Sequence, residues 1–200
     1  MIYNTLSDPF DHLIIPNFLS LEETNTVYHK CSEVLDKKSY EDRSMFIQGG
    51  EHQTSIGVIG ADIPNDITDK IYNNLYDISV HRYNYSKKDW KWVGGLNVTN
   101  PDMCLGVHTD EYEYVRTSNP NAGILKVLIY IGEDSYSYEG MGTRLYNGND
   151  KNKNFIKEVE FVPGTALLFK ASKKSYHGTE FPFGINNYRF IYGAELTDIV

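Results

Sequence analysis

The spacing of hydrophobic positions divides the chain into a helical first part and a longer part with the pattern of β-strands. After a short apolar run at 12–15, the segment SLEE at 20–23 has the pattern of a capping box, and helical spacing continues to about Lys37. A second helical stripe follows the Pro-Asn pair at 64–65. Its apolar positions are Ile67, Ile71, Leu75 and Ile78. The spacing therefore predicts two helices in the first 80 residues.

From residue 79 onward the pattern changes to short apolar runs with turn residues between them. The runs are SVHRYNY, KWVGGLNV, MCLGVH, ILKVLIYIG, TRLY, IKEVEFV, TALLFK and YRFIYGAE. Many short strands after two helices predict a mainly β fold, a sandwich or barrel with flanking helices on one side. The Asn-rich segment YNGNDKNKN reads as a hairpin tip, not a linker. We therefore expect one domain over 1–200, in which 1–80 supports a β core at 81–200.

Composition and charge narrow the classes of function. The net charge of −8 argues against a groove for nucleic acid and against an anionic membrane surface, because both would repel the chain. Cys31 and Cys104 lie at apolar positions of periodic segments, so we expect buried free thiols. The sequence shows no signal peptide and no long apolar run, which makes the cytoplasm the default location. The oligomeric state stays open.

A histidine and an aspartate stand together where the run MCLGVH ends. If Leu105–His108 is a strand, His108 and Asp110 share one face and Glu111 points away. The His-x-Asp spacing is a weak signal alone, and a mononuclear metal needs a third ligand, for which imidazole is the expected addition. The residues alone leave His52, His81 and His177 open for this role, and favour His12 and His29 as surface or helix-face side chains.

Several segments in a fixed order resemble the Fe(II)/2-oxoglutarate-dependent dioxygenases, in their prolyl 4-hydroxylase-like branch. They are HTD at 108–110, VLIYIG at 127–132, GMGTRLY at 140–146, VEFVPGTALLFKASKKSYHGTEF at 159–181 and YRFIYGAE at 188–195. The opening segment LIIPNFLSLEETNTVYHKC resembles the same family. The resemblance is strongest over 96–195. It implies a double-stranded β-helix, or jelly roll, with the N-terminal helices packed on one sheet.

The resemblance also implies roles for seven residues. His108, Asp110 and His177 would be the metal ligands and catalytic centre, a facial triad that leaves open positions on Fe(II) for 2-oxoglutarate and dioxygen. Arg189 would bind the distal carboxylate of 2-oxoglutarate, because a planar guanidinium meets a carboxylate with two hydrogen bonds. Further donors toward the cosubstrate would be Tyr130, Thr143 and Asn97.

The implied activity is hydroxylation of a C–H bond in a peptidyl or small-molecule substrate, with succinate and CO2 as coproducts and ascorbate in a supporting role. Two features depart from the branch: arginine stands at 189 where lysine is more frequent, and GMGT replaces a Gly-Gly-x-Thr pattern. The segment 111–123 reads either as a lid or as a solvated connection. Arg116 and Arg144 are candidates for meeting a substrate carboxylate.

Two alternatives remain at this point. One is a cupin-like metal-binding protein, which would need no 2-oxoglutarate and would make Arg189 incidental. The other is a non-catalytic β-sandwich interaction module. The intact set of His108, Asp110, His177 and Arg189 speaks against a decayed site. The identity of the prime substrate stays open.

Overall fold

The computed structural model describes residues 4–37, 56–57, 63–85, 90–99, 105–110, 125–133, 138–147, 154–179 and 189–198. These residues form two helices, α1 (Leu21–Lys37) and α2 (Asn65–Tyr83). They also form the strands β1 (Asn4–Leu6), β2 (His12–Ile15), β3 (Ile56–Gly57), β4 (Trp90–Thr99), β5 (Leu105–His108), β6 (Leu125–Ile131), β7 (Tyr138–Asn147), β8 (Asn154–Phe161), β9 (Ala166–Lys170), β10 (His177–Thr179) and β11 (Arg189–Asp198).

Both predicted helices are confirmed, and the first begins as its capping box indicates. The backbone N–H of Ser20 donates to Glu23 Oε2 at 2.6 Å, and the N–H of Glu23 donates to Ser20 Oγ at 3.2 Å. These two bonds satisfy amides that the first turn leaves without helical partners. Helix α2 follows Pro64 and ends where Asn84 adopts a left-handed conformation with φ of 58°.

The segment SVHRYNY was expected to form a strand, and this prediction is wrong, because α2 continues to Tyr83. Ser79, four residues after Leu75, is also buried and continues the buried face of the helix. Its hydroxyl donates to the carbonyl of Leu75 at 2.6 Å and accepts from Trp92 Nε1 at 3.3 Å. These contacts with the helix and with β4 outweigh the strand preference of valine and tyrosine in this segment.

The strands build two facing sheets, and every pairing among the described strands is antiparallel. The major sheet has the order β1-β2-β9-β6-β11-β4-β3, and the minor sheet has the order β5-β10-β7-β8. Strands β7 and β8 pair as the predicted hairpin, with Asn147 opposite Asn154. The prediction of a mainly β jelly roll with flanking helices is confirmed. The short strands β1, β3 and β10 were not predicted.

Each face of the major sheet has its own hydrophobic cluster. One face packs against the two helices, through residues that include Val27 and Cys31 of α1 and Leu75 of α2. The opposite face, here called the inner face, packs against the minor sheet. The helices therefore lie on one sheet, as the resemblance implies. The thiol of Cys31 is buried as expected, whereas Cys104 lies outside the described residues.

Helices α1 and α2 are also joined by an ion pair in which Lys70 Nζ contacts both carboxylate oxygens of Glu23, at 2.7 and 2.6 Å. Neither of these helices combines the length and the apolar character needed to cross a lipid bilayer. Whether 1–200 is a single domain stays a prediction.

Candidate active site

Two histidines face each other in the minor sheet. Strand β10 pairs with β5 in a register that puts His177 directly opposite His108. Their ring centroids lie 4.4 Å apart. Asp110 follows β5 after one residue, so the chain brings its carboxylate back beside both rings. A short strand that was not predicted thus brings these side chains together across almost 70 residues of sequence.

The three side chains are spaced as ligands of one metal ion. His108 Nε2 lies 3.5 Å from one oxygen of Asp110, and His177 Nε2 lies 3.5 Å from the other. One ligating atom from each residue lies within 4.8 Å of the other two. Ligands at right angles on a shared ion would be ~3 Å apart, so the two pairs at 3.5 Å are close to the spacing that a bound ion requires. Within the described ranges, this is the one group of this kind.

His177 is held in the orientation that a metal ligand requires. Its Nδ1 lies 2.9 Å from the carbonyl oxygen of Ser175, and since a carbonyl only accepts, Nδ1 carries the proton and Nε2 presents a lone pair toward Asp110. The ring also packs edge-on against Phe169, with 4.8 Å between centroids. Burial lowers the pKa of His177 to about 4, so the imidazole is neutral at physiological pH.

Asp110 supplies the negative charge of this cluster. Burial by itself would raise the pKa of its carboxyl group. In the acidic range where a carboxyl group titrates, His177 is protonated, and its charge, a hydrogen bond from His108 and the charge of Lys126 together outweigh burial and hold the pKa of Asp110 below its usual range. One ionised carboxylate and two imidazoles on one side of a centre form the donor set that suits a divalent transition metal such as Fe(II).

A second cluster surrounds Arg189, at the start of β11. The guanidinium donates through Nε to the carbonyl of Met141 at 2.6 Å and through Nη2 to Thr143 Oγ1 at 2.9 Å. The hydroxyl of Tyr130 also donates to Thr143 Oγ1, at 2.9 Å. The guanidinium carbon lies 5.7 Å from the centre of the Tyr130 ring, within reach of a cation–π interaction.

Arg189 is a buried cation without a carboxylate partner in the described part of the chain. The residue is only 3% exposed. Burial lowers its pKa to about 10, so it stays charged at neutral pH. A buried charge is costly unless an opposite charge compensates it, and no described acidic side chain forms an ion pair with it. The arrangement suits an anionic ligand with a carboxylate group.

Among the other predicted residues, Asn97 shares the inner face of the major sheet with Arg189 and Tyr130, because it pairs with Ile191, which in turn pairs with Tyr130. Asn97 on β4 donates to the carbonyl of Gly95 at 3.3 Å. Arg144 forms an ion pair with Glu158 at 3.5 Å, and its position on β7 alternates with that of Thr143. His81 is exposed in the last turn of α2. His52, Arg116 and the segment 111–123 lie outside the described residues.

The sequence analysis missed two charged residues on the inner face, Lys126 of β6 and Glu195 of β11. They are cross-strand partners and form an ion pair. A signal for them existed in the sequence. Lys126 interrupts the apolar run ILKVLIYIG at the parity of Tyr130, so the two side chains share one face of the strand.

Comparisons with known proteins find likeness in structure alone: no family model matches the chain, and no curated sequence matches it. A prolyl hydroxylase from Trichoplax adhaerens, in complex with a peptide of hypoxia inducible factor, superposes with a TM-score of 0.62 at 14% identity, covering 94% of this chain and 83% of that one. A viral collagen prolyl hydroxylase from Paramecium bursaria Chlorella virus 1, in complex with 2-oxoglutarate, gives 0.56 at 14% identity, covering 98% and 99%.

A third structure is SnoK, a non-heme α-ketoglutarate-dependent carbocyclase of nogalamycin biosynthesis, with a TM-score of 0.61 at 16% identity, covering 94% of this chain and 79% of that one. At such identities the likeness defines the fold. The chain has the jelly-roll fold of 2-oxoglutarate-dependent oxygenases, among them prolyl hydroxylases.

Proposed function

We propose that this chain is an Fe(II)/2-oxoglutarate-dependent oxygenase of the prolyl 4-hydroxylase-like branch. In this proposal it hydroxylates a C–H bond of a small-molecule or peptidyl substrate and releases succinate and CO2. The observation that carries the proposal is that strand β7 lies beside both clusters, which it contacts at positions two residues apart. Leu145 of β7 pairs with His177, and Thr143 lies two residues along the same face, at about 7 Å. A five-carbon dicarboxylate is long enough to connect the metal ligands to Arg189.

In this proposal, the contacts of each site residue support a specific role. His108, Asp110 and His177 would hold Fe(II), with Ser175 fixing the imidazole of His177 through its Nδ1–H. When bound, the metal and 2-oxoglutarate supply the oxidation of the substrate C–H bond by dioxygen.

Binding of the cosubstrate would be the work of the second cluster. Arg189 would bind the distal carboxylate of 2-oxoglutarate, and the hydroxyls of Tyr130 and Thr143 would orient it. Tyr130 stacks on Phe161 with 4.9 Å between centroids, and both rings are buried, which fixes the position of the tyrosine hydroxyl.

The wider context of the activity is proposed on weaker support. Among the structural neighbours, one is named for a peptide complex and one for a carbocyclase, so both peptidyl and small-molecule substrates fit the fold. A cytoplasmic location is proposed from the buried thiol of Cys31, which suits a reducing compartment. Ascorbate would support the activity by keeping iron reduced.

The test needs no knowledge of the prime substrate. Purified protein with Fe(II), ascorbate and 2-oxoglutarate in air is expected to form succinate slowly. Asp110→Ala is expected to reduce succinate to the level of iron and ascorbate alone, because one of three ligands is lost. Asp69→Ala, which changes an exposed aspartate on α2, serves as the matched control and is expected to keep the wild-type rate.

The outcome also separates the alternatives. Equal succinate from the wild type and Asp110→Ala would contradict the oxygenase proposal. Metal binding through His108 and His177 without succinate would favour a cupin-like metalloprotein. Loss of both would favour an interaction module.

A further inference from the structure

The ion pair of Lys126 and Glu195 lies on the inner face of the major sheet, beside the apolar positions Leu128, Val93 and Phe169, and the exposed Lys91 lies two residues from Val93 along β4. The two residues are directly opposite in the β6–β11 register, and each side chain is 15% exposed. Charged side chains are rarely placed so deep in a sandwich without a role, because their desolvation offsets much of the attraction between them.

The pair is close to the proposed metal ligands. Lys126 is the cross-strand partner of Phe169, and the ring of Phe169 packs 4.8 Å from that of His177. The ammonium group of Lys126 is near enough to Asp110 to act on its carboxylate electrostatically. Glu195 lies six residues from Arg189 along β11, roughly 20 Å, so the pair lies outside the proposed cosubstrate pocket.

Open space lies beside the pair on β4. Gly193, two residues from Glu195, is opposite Gly95, and a Cβ added at Gly95 would meet no atom within 4 Å. Val93, the β4 partner of Glu195, is 50% exposed although it lies on the inner face. The minor sheet therefore leaves this strip of the inner face accessible, with the ion pair along one side of it.

We propose that Lys126 and Glu195 form the recognition site for a zwitterionic prime substrate, a free α-amino acid, whose carboxylate accepts from Lys126 and whose ammonium group donates to Glu195. This inference rests on the proposed function and names its substrate class. Gly95 leaves room for the amino acid, whereas a Cβ added at Gly193 would meet Asn97 Nδ2 at 3.3 Å, and Val93 offers an apolar contact to the ligand's side chain.

The charge balance of the pair decides in favour of a zwitterion. An anionic ligand that bound Lys126 would leave the carboxylate of Glu195 without its opposite charge in a partly desolvated place, which is strongly unfavourable, so a ligand that binds Lys126 also needs a positive charge for Glu195. An α-amino acid carries both charges on adjacent atoms, so each member of the pair keeps an opposite charge. Within a peptide, amide bonds replace the charged α-amino and α-carboxylate groups, so the backbone of a peptide segment would offer no opposite charge to Lys126 or Glu195.

The first experiment compares free and blocked ligands on the wild-type protein. The protein with Fe(II) and 2-oxoglutarate is titrated without oxygen, by calorimetry, with each of the twenty proteinogenic L-amino acids and with their N-acetyl methylamides. At least one free amino acid is expected to bind, and the same amino acid is expected to raise the rate of succinate formation in air. Its blocked form is expected to do neither.

The second experiment removes both charges at once, so that no unpaired charge remains. The variant Lys126→Met/Glu195→Gln is expected to bind that amino acid roughly tenfold to a hundredfold more weakly, since charge-assisted hydrogen bonds are lost. The matched control is Lys70→Met/Glu23→Gln, which makes the same change in the ion pair between the helices and keeps a residue suited to the capping box. This control is expected to bind like the wild type.

Three results would overturn the inference: no amino acid binds, the blocked form binds as tightly as the free one, or the double variant folds and keeps the wild-type affinity. If the double variant does not fold, the comparison of free and blocked ligands decides alone. Asp110-dependent succinate without any amino acid effect would leave the proposed function standing and this inference wrong. Absence of Asp110-dependent succinate would instead count against the proposed function.

Discussion

At the scale of single residues, Arg189 combines burial, charge and hydrogen bonds in a way that suits the binding of an anionic ligand. Its Nε and one Nη already donate to Met141 and Thr143, which fixes the plane of the guanidinium. Because the guanidinium plane is already fixed, Arg189 can bind a carboxylate in one geometry without losing further side-chain conformational entropy. The residue is thus preorganised for the ligand that we propose.

Replacing this arginine is expected to weaken cosubstrate binding more than metal binding. Arg189→Ala removes a charge-assisted contact worth roughly 1.5–3 kcal/mol, so the KM for 2-oxoglutarate should rise by about tenfold to a hundredfold. The affinity for Fe(II) should change far less, because His108, Asp110 and His177 are untouched. Both constants can be measured, the first from succinate formation and the second by anaerobic metal titration.

Arg144→Ala is the control for this prediction. Arg144 is a neighbouring arginine at the opposite parity of β7, where it pairs with Glu158. The KM for 2-oxoglutarate should stay near the wild-type value in this variant. An unchanged KM in Arg189→Ala would remove the role assigned to this residue.

At the scale of elements, the contact between β4 and β11 is the longest strand pairing in the molecule's described part, with ten paired positions. Two adjacent glycines of β4 face opposite sides of the sheet there. A Cβ added at Gly94 would lie 2.5 Å from Ala194 Cβ and 2.6 Å from the carbonyl oxygen of Gly193. A Cβ added at Gly95 would meet nothing within 4 Å.

The two glycines therefore predict opposite results for the same substitution. Gly94→Ala is expected to lower the free energy of unfolding by about 1–3 kcal/mol, because backbone atoms of β11 cannot move aside easily. Gly95→Ala is expected to change it by less than about 0.5 kcal/mol. Urea unfolding followed by circular dichroism measures both. Equal losses in the two variants would show that general strand propensity, not this close approach, controls the pairing.

Elements with strong local signals could be predicted from the sequence. The capping box at Ser20 and the stripe through Ile71 and Leu75 define helices by hydrogen bonds and periodicity within a few residues. The last turn of α2 depends on Ser79, which contacts Trp92 of strand β4. Because this contact is not local in sequence, the last turn was wrongly predicted to be a strand. The three-residue strand β10 has no period long enough to detect.

For the site too, features set by local sequence could be predicted, whereas features set by long-range strand pairing could not. The His-x-Asp spacing gave the shared face of His108 and Asp110 from strand parity, whereas the place of His177 depends on which strands become neighbours. Strand order in a jelly roll is set by long-range pairing, which single-sequence patterns do not contain. Resemblance to a family supplied that order. The pairing of Lys126 with Glu195 was missed for the same reason, although Lys126 interrupts the apolar run of its own strand.

At the scale of the whole molecule, the two sheets share the site between them. The proposed metal ligands belong to the minor sheet and the turn after β5, while Arg189 and Tyr130 belong to the major sheet. Thr143 of the minor sheet accepts from both Arg189 and Tyr130, so it links the sheets at the inner end. A ligand that contacts both clusters would add a second link, and binding should therefore stabilise the entire fold.

This coupling leads to a prediction for thermal stability. A ligand at about a hundred times its Kd stabilises the folded state by about 2.7 kcal/mol, and for a chain of this length each kcal/mol raises the Tm by about 2–4 °C. Mn(II), which needs no protection from air, should raise the Tm of the wild type by about 5–10 °C, and added 2-oxoglutarate should raise it further. His108→Ala should lose both increases, because the metal site is incomplete without its imidazole.

The variants separate the two sites in the same assay. Arg189→Ala should keep the increase with Mn(II) and lose most of the additional increase with 2-oxoglutarate, since only the distal carboxylate loses its partner. His81→Ala, an exposed histidine at the end of α2, should behave like the wild type with both ligands. Differential scanning calorimetry measures all four proteins under one condition. If His108→Ala shows the wild-type increase with Mn(II), the metal binds elsewhere, and the link between the two sheets through this site is wrong.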